Sequence, residues 1–199
     1  MYPFIETIRI EKGKIHHLSY HQQRVNRTFA HFWPERVPLN LQQELSNVPD
    51  GPGVFKARLV YDENGKIEQS CTPYTPRTIH SLKLIQDDVI DYTYKSTNRS
   101  ELSRLTDLRG EADEIIIVKN GVLTDTSYSN IALFDGNRWF TPSTPLLQGT
   151  MRQWLMDHGV IIPAEISVTS LQHFEKIALI NAMMPLGVCV VHRDCIFSL

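Results

Sequence analysis

The chain has 199 residues, of which 42% are hydrophobic, and this is enough for one large domain or two small lobes with a buried core. Its 20 basic and 22 acidic side chains are spread along the sequence and give a formal net charge of -2. This balance excludes the basic surface expected of a nucleic-acid-binding or anionic-membrane-binding protein, so small molecules or protein partners are expected.

The apolar runs and the cysteines predict a cytoplasmic protein without a metal site. The longest apolar runs, EIIIV and GVCVV, are far below the roughly 20 residues of a membrane-spanning helix, and the N-terminus shows no secretory signal pattern. The three cysteines lack CxxC spacing and are interpreted as buried or incidental thiols: Cys71, Cys189 and Cys195. The eight histidines form no metal-ligand motif, so no metal is predicted.

In chain order, the first predicted elements are a strand and an amphipathic helix. Residues 4–10, FIETIRI, predict the strand, and the turn EKGK leads to apolar residues at helical spacing, namely Leu18, Val25, Phe29 and Phe32. Ser19 and Gln22 predict a capping box at the start of this helix. After the break VPDGPG, the runs VFKARLVY and KIEQS predict two strands joined by the turn ENG, and IHSLKLI predicts another.

The second half of the sequence predicts a helix, a β meander and a second helix. SELSRLTDLRG carries leucines at helix-compatible spacing, and TMRQWLMDHG is closed by Gly159. Between them, EIIIV, VLTD, NIALF and RWF predict strands in which KNG and DGN form the turns. A short helix near SLQHFEK and the strands IALIN and VCVVHR follow. These elements predict a mixed α/β (α+β) fold with a smaller lobe at residues 1–90 and a second at 91–199, where a cleft between lobes is the expected small-molecule site.

Four stretches in order carry a family resemblance: HQQRV from residue 21, YKSTNR from residue 94, LTDTSYSNIALF from residue 123 and TPSTPLLQGTMRQ from residue 141. Together they resemble the class IV (fold type IV) pyridoxal-phosphate enzymes, which include D-amino-acid and branched-chain aminotransferases and 4-amino-4-deoxychorismate lyases. The resemblance runs from about Phe4 to Val191 and implies a two-lobe fold like that of D-amino-acid aminotransferase. The chain is shorter than is usual for the family and is expected to lack its opening strands.

The resemblance implies pyridoxal 5'-phosphate as the cofactor and assigns residues that hold it. Lys95 matches the family's Schiff-base lysine, whose amine holds the cofactor and then moves protons. Arg24 matches the phosphate-binding arginine. Gly149, Thr150 and Met151 lie where a loop enters a helix, so their N–H groups are expected to bind the phosphate. Many relatives carry threonine at the place of Met151, and Thr150 is expected to supply that hydroxyl contact instead.

The resemblance also implies a partner for the ring nitrogen of the cofactor. Asp125 stands where the family has glutamate, one methylene longer, and a carboxylate there favours the protonated nitrogen that makes the ring an electron sink. Asn130 matches a recurring asparagine and is interpreted as support for the loop. Lys95 and Asp125 are thus the predicted catalytic residues.

The substrate-facing motifs are more similar to the lyases than to the aminotransferases. YKSTNR, with Asn98 and Arg99, and ALINAMMPLGV, with Asn181, carry this similarity. The resemblance therefore implies conversion of 4-amino-4-deoxychorismate to 4-aminobenzoate, a folate precursor, and pyruvate. The two substrate carboxylates need cationic partners, for which Arg58, Arg99 and Arg9 are candidates, Arg58 first.

Two alternatives to the lyase remain open at the level of the sequence. One is a class IV aminotransferase acting on D- or branched-chain amino acids, with the same Lys95 moving a proton. The other is a relative without turnover that survives as a binding or structural dimer. In every case a homodimer is expected, because family members are usually homodimers.

Overall fold

The computed structural model describes residues 2–197 and divides them into two units. The first unit comprises the chain up to Thr75 together with Tyr94–Asn98. The second comprises Pro76–Thr93 and the chain from Arg99 onward. The boundary predicted near residue 90 falls inside the second unit, because the stretch before it supplies a strand to a sheet of that unit.

The first unit contains a four-stranded antiparallel sheet and two helices. Its elements are β1 (Phe4–Glu11), β2 (Lys14–Ile15), α1 (Leu18–Phe32), α2 (Leu41–Glu44), β3 (Val54–Asp62) and β4 (Gly65–Pro73), with sheet order β2-β1-β3-β4. The strand, helix and hairpin predicted for this region are confirmed. Helix α1 has 15 residues, and no helix within residues 2–197 is long and apolar enough to cross a membrane.

The core of the first unit lies between one face of the sheet and helix α1. Alternate residues of β1 and β3 point to this face, as the period-2 pattern of a half-buried sheet requires. The buried apolar side chains include Phe4, Ile8, Ile10, Val25, Phe29, Leu59 and Tyr61. The helical spacing read from Val25 and Phe29 therefore marks the face of α1 that packs on the sheet.

The capping box predicted at Ser19 and Gln22 is wrong. Helix α1 begins after His17, which adopts a left-handed conformation with φ 54° and makes no side-chain cap. Gln22 instead binds the segment that precedes α2: its Nε2 donates to the Leu39 carbonyl and its Oε1 accepts from the Leu41 N–H, each at 2.8 Å. A partner 17 to 19 residues away has taken the side chain that local capping would need.

Residues Tyr94–Asn98 join the first unit through main-chain pairing with the start of β1. The Ile5 N–H donates to the Lys95 carbonyl at 2.9 Å, and Phe4 and Ser96 form an antiparallel bridge. Lys95 was predicted at the start of the second lobe. It belongs to the first unit instead, because this pairing is made by residues about 90 positions earlier in the chain.

The second unit contains two sheets, two α-helices and two short 3-10 helices. The strands are β5 (Leu82–Gln86), β6 (Glu114–Lys119), β7 (Val122–Leu123), β8 (Asn130–Phe134), β9 (Trp139–Pro142), β10 (Ile161–Ala164), β11 (Lys176–Ile180), β12 (Val190–His192) and β13 (Ile196–Phe197). The helices are α3 (Ser100–Asp107) and α4 (Thr150–Asp157), with 3-10 turns at Thr169–His173 and Arg193–Cys195. The sheet orders are β10-β9-β8-β11-β12 and β13-β5-β6-β7.

The two sheets of the second unit pack on each other, and each carries a helix on its outer face. Side chains of β6 show this arrangement: Ile116 and Val118 join the core shared with β8 and β11, whereas Ile115 and Ile117 pack with α3. Helix α4 packs against the outer face of β8 and β11. The continuous apolar run EIIIV is thus a strand buried on both faces, as parallel pairing of β5 and β6 favours.

The turns of the second unit agree with the glycine signals in the sequence. Asn120 and Gly121 connect β6 to β7 with φ values of 52° and 78°, the left-handed pair of a tight hairpin. Helix α4 ends before Gly159, whose φ is 66°. The short parallel edge strands β10 and β13 were not predicted, because two to four residues carry too little periodicity.

Candidate active site

A buried carboxylate, Glu6, organises the polar side chains of the first unit. Glu6 lies on the core face of β1 and is 0% exposed. The guanidinium of Arg24, on the buried face of α1, donates from Nε to Glu6 Oε1 at 2.8 Å and from Nη2 to Oε2 at 2.6 Å. Two parallel charge-assisted bonds of this kind fix the plane of a guanidinium as well as its position. The predicted phosphate arginine is therefore rigidly held.

His21 binds the same carboxylate from one turn earlier in α1. Its Nδ1 lies 2.5 Å from Glu6 Oε2, and its side chain is 0% exposed. Burial lowers the pKa of His21, and the charges of Arg24 and Lys95 lower it further against the opposing effect of Glu6. The imidazole is therefore neutral at pH 7, and because an ionised carboxylate only accepts, Nδ1 carries the hydrogen.

The ionisation of Glu6 is set by its two partners. Burial by itself raises the pKa of Glu6, but the charge of Arg24 and the hydrogen bonds from Arg24 and His21 outweigh it and lower this pKa to about 2. Because the folded pKa lies below the ordinary value of 4.5, the ionised carboxylate adds stability above pH 4.5 that is lost as the pH falls towards 2. The Glu6 carboxylate is thus ionised throughout the physiological range.

Lys95 lies in the same unit as this cluster and is half-buried. Its carbonyl accepts from the N–H of Ile5, the residue before Glu6, and its charge is close enough to His21 to lower the pKa of that imidazole. Its neighbour Tyr94 packs on α1, where the ring stacks on His31 with centroids 4.8 Å apart. The structure therefore brings Lys95, Arg24 and His21 together.

In the second unit, Asp125 is a buried carboxylate held by hydrogen bonds from neutral donors. Its Oδ1 accepts from Asn130 Nδ2 and its Oδ2 from the Leu147 N–H, both at 2.8 Å. Burial raises the pKa of Asp125 to about 6, although these hydrogen bonds and the charge of Arg152 oppose the change. No cationic side chain in residues 2–197 forms a salt bridge with it. A cationic partner next to this carboxylate would lower its pKa again.

Asn130 connects Asp125 to the start of α4, as its predicted supporting role requires. The same Nδ2 that binds Asp125 also donates to the Leu147 carbonyl at 2.8 Å, and the side-chain oxygen lies against Gly149. A Cβ at Gly149 would fall far inside van der Waals contact with that oxygen. Glycine is thus required here because Asn130 leaves no space for a Cβ. The backbone conformation does not require it, since every residue can adopt a φ of -71°.

We expect Gly149→Ala to lower stability by about 2–3 kcal/mol, the upper part of the roughly 1–3 kcal/mol range of overpacking, because Asn130 must move and release Asp125. Thermal or urea unfolding measures the loss. Gly110→Ala is the matched control for substituting a glycine next to a helix end, since nothing lies within 4 Å of a Cβ there and only its positive φ of 62° opposes the change. If Gly149→Ala destabilised the protein no more than Gly110→Ala does, the close approach of Asn130 to Gly149 would be contradicted.

The start of α4 presents backbone donors without a side-chain cap. Gly149 is the N-cap residue and makes no side-chain hydrogen bond, and the side chains of Thr150 and Met151 are buried. The N–H groups of a first helical turn carry the positive end of the helix dipole and favour an anion. The predicted group Gly149, Thr150 and Met151 therefore lies at a helix start, and its binding to a phosphate stays a prediction.

Arg152, in the first turn of α4, is a site residue that the sequence analysis missed. It is 5% exposed, and it donates from Nη2 to the Pro142 carbonyl at 2.8 Å and from Nε to Thr141 Oγ1 at 3.2 Å. Burial lowers the pKa of Arg152, and the charge of Asp125 opposes this. A cation in the first turn of a helix is unfavourable next to the positive end of the helix dipole. The position of Arg152 in the sequence therefore indicated that its side chain needs a specific partner.

Glu6 and His21 were also missed, although the sequence carries signals for both. In FIETIRI, Glu6 occupies the alternating series of Phe4, Ile8 and Ile10, which is the buried face. His21 precedes Arg24 by three residues and therefore lies on the same side of α1. A carboxylate and a histidine on apolar faces require polar partners, and their partners proved to be each other and Arg24.

Two of the predicted substrate residues make other contacts in the structure. Arg58 pairs in register with Thr7, so it points to the sheet face opposite Glu6, and its Nη1 donates to Glu68 Oε1 at 2.8 Å. Arg99 Nη2 donates to the Ser127 carbonyl at 2.7 Å, so it supports the loop that follows Asp125.

Asn181, the third predicted substrate residue, closes a turn. Its Oδ1 accepts from the Met183 N–H at 2.9 Å and the Met184 N–H at 3.0 Å, and its Nδ2 lies 3.4 Å from the Tyr128 carbonyl. Asn98, which the lyase similarity also used, donates its N–H to Ser96 Oγ at 3.0 Å. The role of Asn181 toward a substrate stays a prediction.

Comparison with known proteins identifies the family. The model of amino-transferase class IV matches residues 4–189. An uncharacterised protein of Haemophilus influenzae is 33% identical over 196 aligned residues, covering 92% of this chain and 98% of that protein. The chain therefore belongs to the class IV aminotransferase family, whose enzymes depend on pyridoxal phosphate, and the resemblance seen in the sequence is confirmed.

Solved structures agree with this assignment. A Haemophilus somnus protein, provisionally described as a 4-amino-4-deoxychorismate lyase, is 34% identical and superposes with a TM-score of 0.88 over 94% of this chain and 98% of its own. A hypothetical aminotransferase of Mycobacterium tuberculosis, solved with pyridoxal phosphate bound, is 16% identical with a TM-score of 0.74, covering 98% of this chain and 81% of its own. This second likeness shows the shared fold. The predicted mixed α/β fold of this enzyme family is confirmed.

The residues present fit a phosphorylated pyridoxal group. The first unit holds a buried arginine that a carboxylate keeps rigid and a lysine whose charge acts on the neighbouring His21. The second holds a helix start without a side-chain cap and a buried carboxylate, Asp125, whose pKa burial raises to about 6. A lysine amine can attach to an aldehyde, an arginine and helix N–H groups can donate to a phosphate, and a carboxylate can accept from a protonated ring nitrogen.

Proposed function

We propose that this protein is a pyridoxal-phosphate-dependent lyase that converts 4-amino-4-deoxychorismate to 4-aminobenzoate and pyruvate. The observation that carries the cofactor chemistry is Lys95 held beside the rigid Glu6–Arg24–His21 cluster. The choice of lyase is supported by the 34% identity to the Haemophilus somnus protein over nearly its whole length. The similarity of YKSTNR and ALINAMMPLGV to the lyases supports the same choice.

In this proposal the chain's residues divide into holding groups and one proton-moving group. Arg24 and the N–H groups of Gly149, Thr150 and Met151 bind the phosphate, and Asp125 pairs with the protonated ring nitrogen. Bound pyridoxal phosphate supplies an electron sink for the bond that breaks. Because Asp125 is buried, its charge acts in a medium of low dielectric, where it is strongest.

Lys95 is the residue that moves protons. When the substrate amine takes the place of its Nζ, the freed amine accepts the proton from the ring carbon that bears the substrate nitrogen. The bond from the neighbouring ring carbon to the enolpyruvyl oxygen then breaks, so the ring becomes aromatic and pyruvate leaves as its enol, which is then protonated on carbon. The proton held on Lys95 Nζ is available for this last protonation, so the residue acts as base and then as acid. Lys95 Nζ returns to its original place as 4-aminobenzoate leaves.

The test is incubation of the purified holoenzyme with 4-amino-4-deoxychorismate. We expect pyruvate and 4-aminobenzoate in equal amounts, the first measured by a coupled lactate dehydrogenase assay and the second by its fluorescence. Lys95→Ala is the inactive control. Transfer of the amino group to a keto acid, with no pyruvate released from 4-amino-4-deoxychorismate, would contradict the lyase and support an aminotransferase.

An aminotransferase acting on D- or branched-chain amino acids is the second candidate. The observation that favours it is the contact set of Asn181, because the side chain on which the lyase choice partly depends already binds main-chain groups. Lys95 and Asp125 would keep their roles in that reaction. For either activity we propose a homodimer, as is usual among family members.

A further inference from the structure

The first unit buries three hydrogen-bonded polar side chains in an otherwise apolar core. Glu6 and His21 are 0% exposed and Arg24 is 7% exposed, in a core otherwise made of aromatic and aliphatic side chains. Replacing a buried ion pair by well-packed apolar groups is commonly neutral or stabilising, so folding alone gives no reason for this cluster. Tyr61 stands in the same core, and burial together with the charge of Glu6 raises its pKa. The cluster is therefore a candidate for function.

The geometry gives Arg24 a single orientation. Glu6 accepts from Nε at 2.8 Å and from Nη2 at 2.6 Å, so the remaining nitrogen, Nη1, has a direction set by the carboxylate. A guanidinium that is already oriented loses little conformational entropy when it binds a phosphate. An unheld arginine side chain would have to be ordered at that moment.

The same carboxylate determines which nitrogen of His21 carries the hydrogen. Nδ1 donates to Glu6 at 2.5 Å, and Nε2 of the neutral ring is consequently an acceptor. Three charged groups act on His21, namely Glu6, Arg24 and Lys95. Glu6 is thus the negative group of this neighbourhood, with cations at Arg24, Lys95 and the more exposed Arg27.

We infer that Glu6 is the positioning residue of the cofactor site: it orients Arg24 for the phosphate, fixes the hydrogen of His21 and favours the positive charge on Lys95. This inference rests on the proposed cofactor role of Lys95 and goes beyond it, because Glu6 is not among the residues proposed above to hold the cofactor or to move protons. The carboxylate itself does not contact the reacting atoms.

The first experiment is a pH titration of the visible absorption band of the lysine-bound cofactor in the holoenzyme. Removing a negative charge disfavours the protonated nitrogen, so Glu6→Gln is expected to move the spectral transition to lower pH by about one unit or more. Glu44→Gln, which removes the carboxylate of the Glu44–Lys66 ion pair nearer the surface of the same unit, is the matched control and should leave the transition in place. An unmoved transition in Glu6→Gln with an intact band would overturn the inference.

The second experiment remains decisive even where Glu6→Gln does not fold. Glu6→Asp keeps the charge but withdraws the carboxylate by one methylene, so Arg24 loses its two-point hold. We expect the cofactor-free variant to bind inorganic phosphate several-fold more weakly than the cofactor-free wild type, measured by calorimetry. Equal affinity would contradict the orienting role. Failure of the proposed cofactor role of Lys95 looks different, since the wild-type protein would then show no visible band of a lysine-bound cofactor at all.

Discussion

Lys95→Ala is expected to abolish the visible absorption band of the bound cofactor and to reduce turnover by roughly 10⁴-fold or more. Covalent attachment is lost, and so is the general acid–base step, which alone contributes about 10²–10⁴-fold. The fold should survive, because the hydrogen bond that anchors this residue uses its main-chain carbonyl, which accepts from Ile5. Circular dichroism and thermal unfolding would show this survival.

Lys14→Ala is the matched control for Lys95→Ala. Lys14 lies in the same unit, in β2, and is exposed. Its removal should leave both the band and the turnover unchanged. A Lys95→Ala protein that retains a lysine-bound cofactor band would show that another amine holds the cofactor, and the assignment of Lys95 would then be wrong.

Asp125→Asn is expected to lower turnover by about 10²–10³-fold while the cofactor still attaches. In the proposed role, the variant removes the buried carboxylate that keeps the ring nitrogen of the cofactor protonated, and loss of one preorganised electrostatic group has about that cost. The new amide NH2 group also faces a hydrogen-bond donor, because Asn130 Nδ2 and the Leu147 N–H both donate to the carboxylate of Asp125 in the wild type. Asp125→Glu, which restores the charge and the residue usual in the family, should recover part of the activity.

The pH dependence of stability gives a separate measure of Asp125. Burial raises the pKa of Asp125 to about 6 from the ordinary 3.8. Between these two pH values the folded protein without cofactor binds a proton at Asp125 that the unfolded chain does not bind. Stability therefore rises as the pH falls from 7 to 5, and this group contributes about 1 kcal/mol of that rise. Asp125→Asn should lose this contribution, whereas Asp135→Asn, a turn aspartate of the same unit, should keep it. Parallel pH profiles for wild type and Asp125→Asn would contradict the shifted pKa.

The local pattern of the sequence was enough to predict most strands and helices. FIETIRI alternates because β1 buries one face, and Val25 and Phe29 recur because α1 packs on that face. Asn-Gly at residues 120–121 predicted a hairpin because these two residue types tolerate positive φ angles. The structure shows positive φ angles at both positions. Short-range patterns succeed where a short-range force decides the outcome.

Local reasoning failed where a distant residue competed for a group. Ser19 and Gln22 had the spacing of a capping box, but the Leu39 carbonyl and the Leu41 N–H occupy the Gln22 side chain. Arg58 was a candidate for the substrate carboxylates, and register with β1 turns it to the face opposite Glu6. Neither outcome can be read from spacing along one segment.

The sequence by itself determined the elements, the family and the identity of Lys95, Arg24, Asp125 and the Gly149 helix start as cofactor candidates, because these depend on residue type and order. Only the tertiary structure decided that Lys95 pairs with the start of β1 and that Glu6 holds Arg24 and His21 from 18 and 15 residues away. The physical reason is that a buried charge is tolerated only with partners, and those partners are chosen by packing across the fold.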